Sequence, residues 1–248
     1  MFDVEELERF GEDGFIVCER LIKGQDLDHF VGIFDELVKT GNALPAPAPH
    51  FSLELTQEGE AIPGRLHKVQ GVCVAEPRLK ALAAHPLITE RAAQLLQADD
   101  LDVFGTKFFP KLGGGGTSTH WHQDNFYFGT QSPQVLSCGI YLQDADLTNG
   151  CLRVVPGSHH TGLVVDHQQT PGMHGSWTQV EEQQAVDLIT PAGTVVLFSA
   201  NLLHGTGDNH SQRTRYSTAW HYIPGQLELE QFPRDSYEDR FLVRPMPQ

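Results

Sequence analysis

From residue 100 onward the chain is written as short apolar runs: "LDVFGTKFFPKL", "VLSCGIYLQDA", "CLRVVPGS", "GTVVLFSANLLHGTG" and "RYSTAWHYIP". Each is rich in β-branched and aromatic residues, and Gly, Pro, Asn or Asp separates it from the next, which is the pattern of a β-sandwich or jelly roll. The first hundred residues have a different texture. "DVEELERFG" at 3–11 predicts a short helix, with Asp3 as cap, Glu6 at the capping-box position and Gly11 as its end. "GFIVCERLI" at 14–22 reads as a strand. Residues 26–41 place Leu27, Phe30, Val31, Phe34 and Leu37 at helical spacing before a Gly41 C-cap. A Pro/Ala connection at 43–50 leads to a weakly alternating strand at 65–77. Two short helical patterns follow at 77–97, with Pro86 in the first turn of the second. The expected architecture is therefore mainly β, one domain over 1–248. Helical support occupies 1–99, a β core 100–222 and a C-terminal extension 223–248. An insert at 161–187, rich in His, Gln and Gly, is placed as a lid.

With 40% hydrophobic residues, 14 Phe and 3 Trp, the chain can fill a sizeable core. Its net charge of −15, from 32 acidic against 17 basic residues, repels phosphate backbones and anionic lipid. Nucleic acid and membranes are thus poor partners, and a small molecule is the expected one. Cys18, Cys73, Cys138 and Cys151 are scattered without a paired motif and read as reduced thiols. The N-terminus is acidic and amphipathic, unlike a targeting peptide. No apolar run approaches the roughly 18 residues of a membrane span, so a cytoplasmic location is expected. Oligomeric state is not legible.

The chemistry-bearing stretch is "HWHQDNFYF" at 120–128. On a strand, residues two apart share a face, so His122 and Asp124 can grip one ion while Gln123 points away. One further imidazole would complete a 2-His-1-carboxylate triad suited to iron(II), with open coordination positions. His204, ending the run "LFSANLLHGTG" on a distant strand, is the candidate; His120 is left as a neighbour or a surface residue. HxD alone is weak in a chain with 13 histidines. Arg215 strengthens it. In "RTRYSTAWH" the residues Arg213, Arg215, Ser217, Ala219 and His221 share one parity, and an arginine facing a barrel interior requires an anionic partner. A dicarboxylate cosubstrate supplies one, its far end held by the guanidinium fork and its keto-acid end by the metal.

These residues, with "HKVQG" at 67–71, "THWHQDNFYF" at 119–128, "NGCLRVVPGSHHTG" at 149–162 and "LLHGTGDNHSQRTRYSTAWHY" at 202–222, resemble the phytanoyl-CoA dioxygenase family of iron(II)/2-oxoglutarate oxygenases. The resemblance implies a double-stranded β-helix, a cupin-like jelly roll. It puts His122, Asp124 and His204 on iron and Arg215 on 2-oxoglutarate, with Arg213 as the alternative arginine. Thr206 falls where the family often has a hydroxyl for the same carboxylate. Lys68 lines up with a lysine near the cosubstrate, and Lys107 lies near a position that often contacts it. Ile140 stands where some relatives carry a tryptophan near the cosubstrate, which implies a wider or differently shaped pocket there. Asp124 is intact, whereas halogenating relatives carry Ala or Gly. The implied reaction consumes O2 and 2-oxoglutarate, releases succinate and CO2, and oxidises a substrate C–H, most often to an alcohol.

For substrate contacts, Phe126 is the preferred pocket wall by parity with His122 and Asp124, followed by Tyr141 and Trp220, with Trp121 and Tyr127 facing away. His167, His174 and Trp177 of the insert are further candidates. Without a basic cluster suited to coenzyme A phosphates, a small or medium-sized metabolite is expected. Desaturation, epoxidation and cyclisation remain open as outcomes. From other classes come a non-catalytic metal-binding barrel and a zinc hydrolase; neither has an evident need for Arg215.

Overall fold

A computed structural model describes residues 1–161, 166–170 and 174–246 of the chain. Its strands are β1 (Phe15–Cys18), β2 (Phe51–Leu55), β3 (Ala61–Gln70), β4 (Leu101–Phe109), β5 (Thr119–His122), β6 (Leu136–Tyr141), β7 (Leu152–Val154), β8 (Val186–Leu188), β9 (Thr194–Ser199), β10 (His204–Thr206), β11 (Ser217–Pro224) and β12 (Arg240–Arg244). The helices are α1 (Val4–Asp13), α2 (Gln25–Gly41), α3 (Val72–Ala75), α4 (Lys80–Ala83), α5 (Pro86–Leu96) and α6 (Asp124–Phe128). Two antiparallel sheets make the jelly roll. The larger runs β1-β9-β6-β11-β4-β3-β2, and the smaller runs β5-β10-β7-β8. Strand β12 also pairs with β4, along Leu101–Phe104, whereas β3 pairs with it at Lys107 and Phe108.

Alternation sorts the large sheet's side chains between two environments. Cys138, Ile140, Val195, Leu197, Trp220 and Tyr222 point to the helical layer, where they meet Phe30, Phe34, Leu37, Leu82 and Ile88 in one cluster. Their neighbours Tyr141, Val196 and Phe198 point the other way and pack against Leu152, Val154 and Leu188 of the small sheet. Phe34 of α2 stacks on Phe108 at 4.3 Å, tying a helix to β4. Removing such a buried ring costs about 3–5 kcal/mol.

Several boundaries differ from expectation. Helix α1 runs through Gly11 and ends at Gly14, whose positive φ of 82° and bond to the Phe10 carbonyl close it. Residues 14–22 give a strand of only Phe15–Cys18, since Arg20 turns the chain with φ 49°. After the Pro/Ala stretch, β2 pairs with β3, a hairpin that the sequence does not announce. Parts of the expected insert, 162–165 and 171–173, lie outside the described residues. Among the described residues no helix is long and apolar enough to cross a membrane.

Candidate active site

The two sheets bring different chemistry to the cleft between them. On the small sheet His122 and His204 are directly opposed partners of β5 and β10, with ring centroids 4.2 Å apart. Asp124 is not on the strand. It opens α6, the five-residue turn that starts at once after the extended Gln123 and ends on Gly129. The turn is held by Asn125, whose side chain bonds Ser132 and Asn201, and by Gln123, whose amide donates to the Asn201 carbonyl. The result still brings the carboxylate to the imidazoles: His122 Nε2 lies 3.5 Å from Asp124 Oδ1, and His204 Nε2 lies 3.6 Å from Oδ2. Ligand atoms from all three residues lie within 4.8 Å of one another.

The "PGSH" segment explains how His204 is aimed. Val155 N–H donates to the Leu203 carbonyl, and Leu203 N–H donates to Ser158 Oγ, so the loop grips the residue before the ligand on both sides. Each ligand histidine turns Nδ1 onto a carbonyl two residues back, His120 at 2.7 Å and Leu202 at 2.9 Å. A carbonyl only accepts, so Nδ1 carries the proton and Nε2 presents its lone pair to the cluster.

Burial, and then the neighbouring His122, push the His204 imidazole down to about 4. Burial alone would raise the Asp124 carboxyl, but the imidazoles of His204, His221 and His122 outweigh it and hold it well below the usual range. Ser137 Oγ donates to Asp124 Oδ2 at 2.7 Å and also meets His221 Nδ1 at 3.1 Å. Two imidazole nitrogens and a carboxylate, all buried, are a donor set for a divalent cation with nitrogen and oxygen affinity.

Arg215, two residues before β11 of the large sheet and 1% exposed, lines the same cavity as this cluster. Its Nη1 donates to Ser217 Oγ at 2.6 Å, its Cζ lies 5.4 Å from the Tyr141 ring centre, and its Nε has no partner among the described residues. No carboxylate pairs with it there. Arg213 is different: it is half-exposed and pairs with Asp146 at 2.5 Å. Beside Arg215 sits Lys111, whose ammonium donates to Thr206 Oγ1 at 2.8 Å and to the carbonyls of Thr117 and Gly207. Thr206 Oγ1 also accepts from Thr119 N–H at 3.0 Å. With both acceptor positions filled, its own O–H is free to donate into the cavity. Gly150 of the "NGC" segment permits this crowding: at φ 76°, a Cβ there would lie 2.4 Å from the Gly207 carbonyl oxygen and 3.0 Å from Lys111 Cδ.

Two adjoining cavities result. The inner one, about 80 Å³, is lined by His122, Asp124, His204, Arg215, Thr206 and Lys111, with Tyr141, Ser217 and Lys107. The outer one, about 260 Å³, is lined by Lys68, His120, Tyr127, His174, Phe232 and Tyr237 among others. Lys107 and His122 border both. The expected residues thus separate. Tyr141 is in the inner cavity beside Arg215, and Lys68 is in the outer one. Phe126, expected as a pocket wall, lines neither: once α6 begins, strand parity no longer applies, and its ring stacks on His167 at 4.0 Å. Trp220 is fully buried in the helix-facing core and donates to Tyr222 Oη. Ile140 is buried on that same side and widens no pocket.

The insert lies over this region. Tyr127 Oη accepts from Ser176 N–H at 2.7 Å, Thr178 N–H donates to the Trp121 carbonyl, and His174 stacks on His67 at 3.8 Å. Trp177 bonds Thr170 within the insert. Lys111, Ser137 and Ser217 were not singled out from the sequence as site residues. Ser217 and His221 carried a signal in their shared parity with Arg215; Lys111 carried only its place before "GGGG".

Comparison with known proteins agrees with this geometry. The family model described as phytanoyl-CoA dioxygenase matches residues 10–217. The peroxisomal phytanoyl-CoA dioxygenase of Rattus norvegicus is 24% identical over 233 residues, 90% of this chain and 68% of that protein. The ectoine dioxygenase of Bordetella bronchiseptica is 27% identical over 230 residues, 84% of this chain and 70% of its own. Among solved structures, EctD from S. alaskensis with 2-oxoglutarate and 5-hydroxyectoine superposes with a TM-score of 0.73 at 21% identity, covering all of this chain and 86% of that one. The epimerase SnoN from nogalamycin biosynthesis does so at 0.67 and 18%, covering 89% and 81%.

Proposed function

We propose, from the premise that the chain belongs to the phytanoyl-CoA dioxygenase family, that it hydroxylates an unactivated C–H of a small or medium-sized metabolite. Its chemistry is that of an iron(II)- and 2-oxoglutarate-dependent dioxygenase. Bound together, iron(II), 2-oxoglutarate and O2 supply an oxidant able to attack such a bond, with release of succinate and CO2.

The chain's own residues set the conditions for that chemistry. His122, Asp124 and His204 would hold the metal through two Nε2 atoms and one carboxylate, in a cavity that Arg215 also lines. Ser137 fixes the Asp124 rotamer by its hydrogen bond. Arg215 and the Thr206 hydroxyl would receive the remote carboxylate of 2-oxoglutarate, with the Lys111 ammonium adding positive charge from behind Thr206. The buried surroundings strengthen that pairing relative to water.

One observation carries the reading: a fully buried guanidinium, without a carboxylate partner among the described residues, shares a small cavity with a His–Asp–His cluster. A non-catalytic metal barrel or a hydrolase has no use for it. The test is anaerobic addition of iron(II) and 2-oxoglutarate, which should produce a visible metal-to-ligand absorption band, followed by O2-dependent succinate release. Absence of both, with iron shown to be bound, would remove the oxygenase assignment. Product mass then separates hydroxylation from desaturation or cyclisation.

A further inference from the structure

The β2–β3 hairpin is bulged at one residue. Ser52 pairs with Lys68 and Leu53 with Leu66, so His67 is an extra residue without a cross-strand partner. A bulge re-aims a side chain, and this imidazole is 6% exposed and borders both cavities. Behind it lies the Glu54 carboxylate, 2% exposed. Thr117 donates to Glu54 from N–H at 3.1 Å and from Oγ1 at 2.5 Å, and His67 Nδ1 lies 3.3 Å from both Glu54 Oε2 and Thr117 Oγ1. Burial alone would raise the Glu54 carboxyl, but His67 and Thr117 outweigh it and hold it below the usual range. With the Thr117 proton committed to the carboxylate, both neighbours of Nδ1 accept, and Nδ1 is the donor. His174 lies flat on the ring at 3.8 Å and 8°, and Phe109 meets it edge-on with ring centres 6.2 Å apart. Nε2 is the atom left over. It has no partner among the described residues and, unlike Arg215 Nε, it is not sealed from solvent. Burying a carboxylate costs free energy that an apolar side chain would not, so the arrangement is explained by the atom it aims.

We infer that His67 recognises the substrate: its Nε2 accepts a hydrogen bond from a substrate hydroxyl, while Glu54 fixes the ring's tautomer and His174 holds its plane. A ring with its one proton on Nδ1 presents a lone pair at Nε2. The inference rests on the oxygenase reading and narrows the metabolite to one with a neutral O–H donor. Because His67 and His122 both border the two cavities, that hydroxyl lies near the carbon to be oxidised. A cationic donor is disfavoured, since Lys68 and Lys107 line the outer cavity and no Asp or Glu does so among the described residues. The apolar body of the substrate is left to Tyr127 and Phe232 of the same wall.

The test uses the full chain, loaded anaerobically with iron(II) and 2-oxoglutarate at about pH 8, above the ordinary imidazole range. Benzyl alcohol, benzyl methyl ether and benzylammonium are titrated against the visible band. The alcohol should perturb it with an apparent Kd about three- to tenfold below that of the ether, the effect of one net hydrogen bond. The ammonium should bind more weakly than either. His67→Phe, which keeps a ring against His174, should bring alcohol and ether together without weakening 2-oxoglutarate. A second measurement needs no variant. The native chain, carrying isotope-labelled histidine and zinc(II) in place of iron, is read by nitrogen NMR. The His67 resonances should place the proton on Nδ1, and benzyl alcohol should move Nε2 upfield while the ether leaves it in place.

The inference is overturned if the ether or the ammonium matches the alcohol, or if no probe perturbs an intact band. It is equally overturned if the proton sits on Nε2, or if the Nε2 resonance stays still while the alcohol binds. A loss of about tenfold in 2-oxoglutarate affinity in His67→Phe would give the residue to the cosubstrate instead. Failure of the band to form at all in the native chain, with iron shown to be bound, would overturn the oxygenase reading itself, and this inference with it.

Discussion

In the inner cavity Lys111 donates to three fixed acceptors, and Arg215 is braced by Ser217 and the Tyr141 ring. In the outer cavity Lys68 and Lys107 have no such partners among the described residues. The inner wall comes from paired strands of the jelly roll; the outer wall adds the insert at His174–Ser176 and the C-terminal residues Phe232 and Tyr237. On the proposed function, the difference separates a cavity shaped in advance for the cosubstrate from one whose cationic side chains are less tightly held. Preorganisation lowers the ordering cost for the ligand that is always used, whereas loosely partnered charges allow selection among substrates.

The largest effect should come from the inner cluster. Asp124→Ala removes the carboxylate between the two imidazoles, and iron retention and succinate release should both fall to background. That loss should exceed the roughly 10–100-fold expected for a residue that merely orients a ligand. Metal analysis of the purified variant and a succinate assay check it. Retained iron-dependent turnover would put the metal elsewhere.

Next come two cations of the same cavity, which should behave oppositely. Arg215→Met should weaken 2-oxoglutarate about 30- to 1000-fold, the effect of losing about 2–5 kcal/mol from a buried charge pair. In the ligand-free chain it should leave stability unchanged or raised, because it removes a buried charge lacking a counter-ion. Lys111→Met should instead destabilise that chain by about 1–3 kcal/mol, since the Gly207 and Thr117 carbonyls lose their donor. Denaturant unfolding without ligand, beside 2-oxoglutarate titrations, resolves the pair. Equal destabilisation by both variants would mean that Arg215 is structural.

The same contrast explains what the sequence disclosed. His122, His204 and Arg215 lie in or beside short strands whose turn residues and alternation are written locally, and their meeting follows from the jelly-roll order. The fold class was legible for the same reason. Asp124 was right as a residue and wrong as a strand position: helix α6 starts there because Asn125 and Gln123 bind Asn201, some 76 residues away. Phe126 misled through that same turn. The β2–β3 hairpin and the outer wall were not legible, because Phe232 and Tyr237 reach the cavity through a C-terminal segment with little regular structure. Lys111, held at φ 34°, carries no motif that would announce three hydrogen bonds to residues in and beside β5 and β10.

A smaller effect should follow from Ser137→Ala. It leaves all three candidate ligands in place but frees the Asp124 carboxylate from its donor and from the link to His221. Iron affinity should fall about tenfold, at the low end for an orienting partner, while 2-oxoglutarate affinity at saturating iron stays the same. Iron titration followed by the visible band measures both. A fall confined to 2-oxoglutarate would show that the serine shapes the cavity rather than the metal site.

The smallest effect belongs to the insert, and it concerns pH. His174 stacks on His67, bonds the Leu53 carbonyl, and faces Lys68 and Glu54. Burial, and then His67, push its pKa down to about 4 from an ordinary 6.5, with Lys68 lowering it further and Glu54 opposing. Between those values the undocked insert binds a proton that the docked one does not, so docking is fully stabilised above pH 6.5 and weakens as pH falls towards 4. The Thr178 amide, bonded to the Trp121 carbonyl, reports the docked state. Its hydrogen-exchange protection, corrected for intrinsic rate, should decline over that window in the native chain. In His174→Phe, which keeps a ring on His67 but has no proton to gain, the decline should be absent. Protection that falls equally in both would place the acid-sensitive contact elsewhere in the insert and leave the outer wall as firmly set as the inner one.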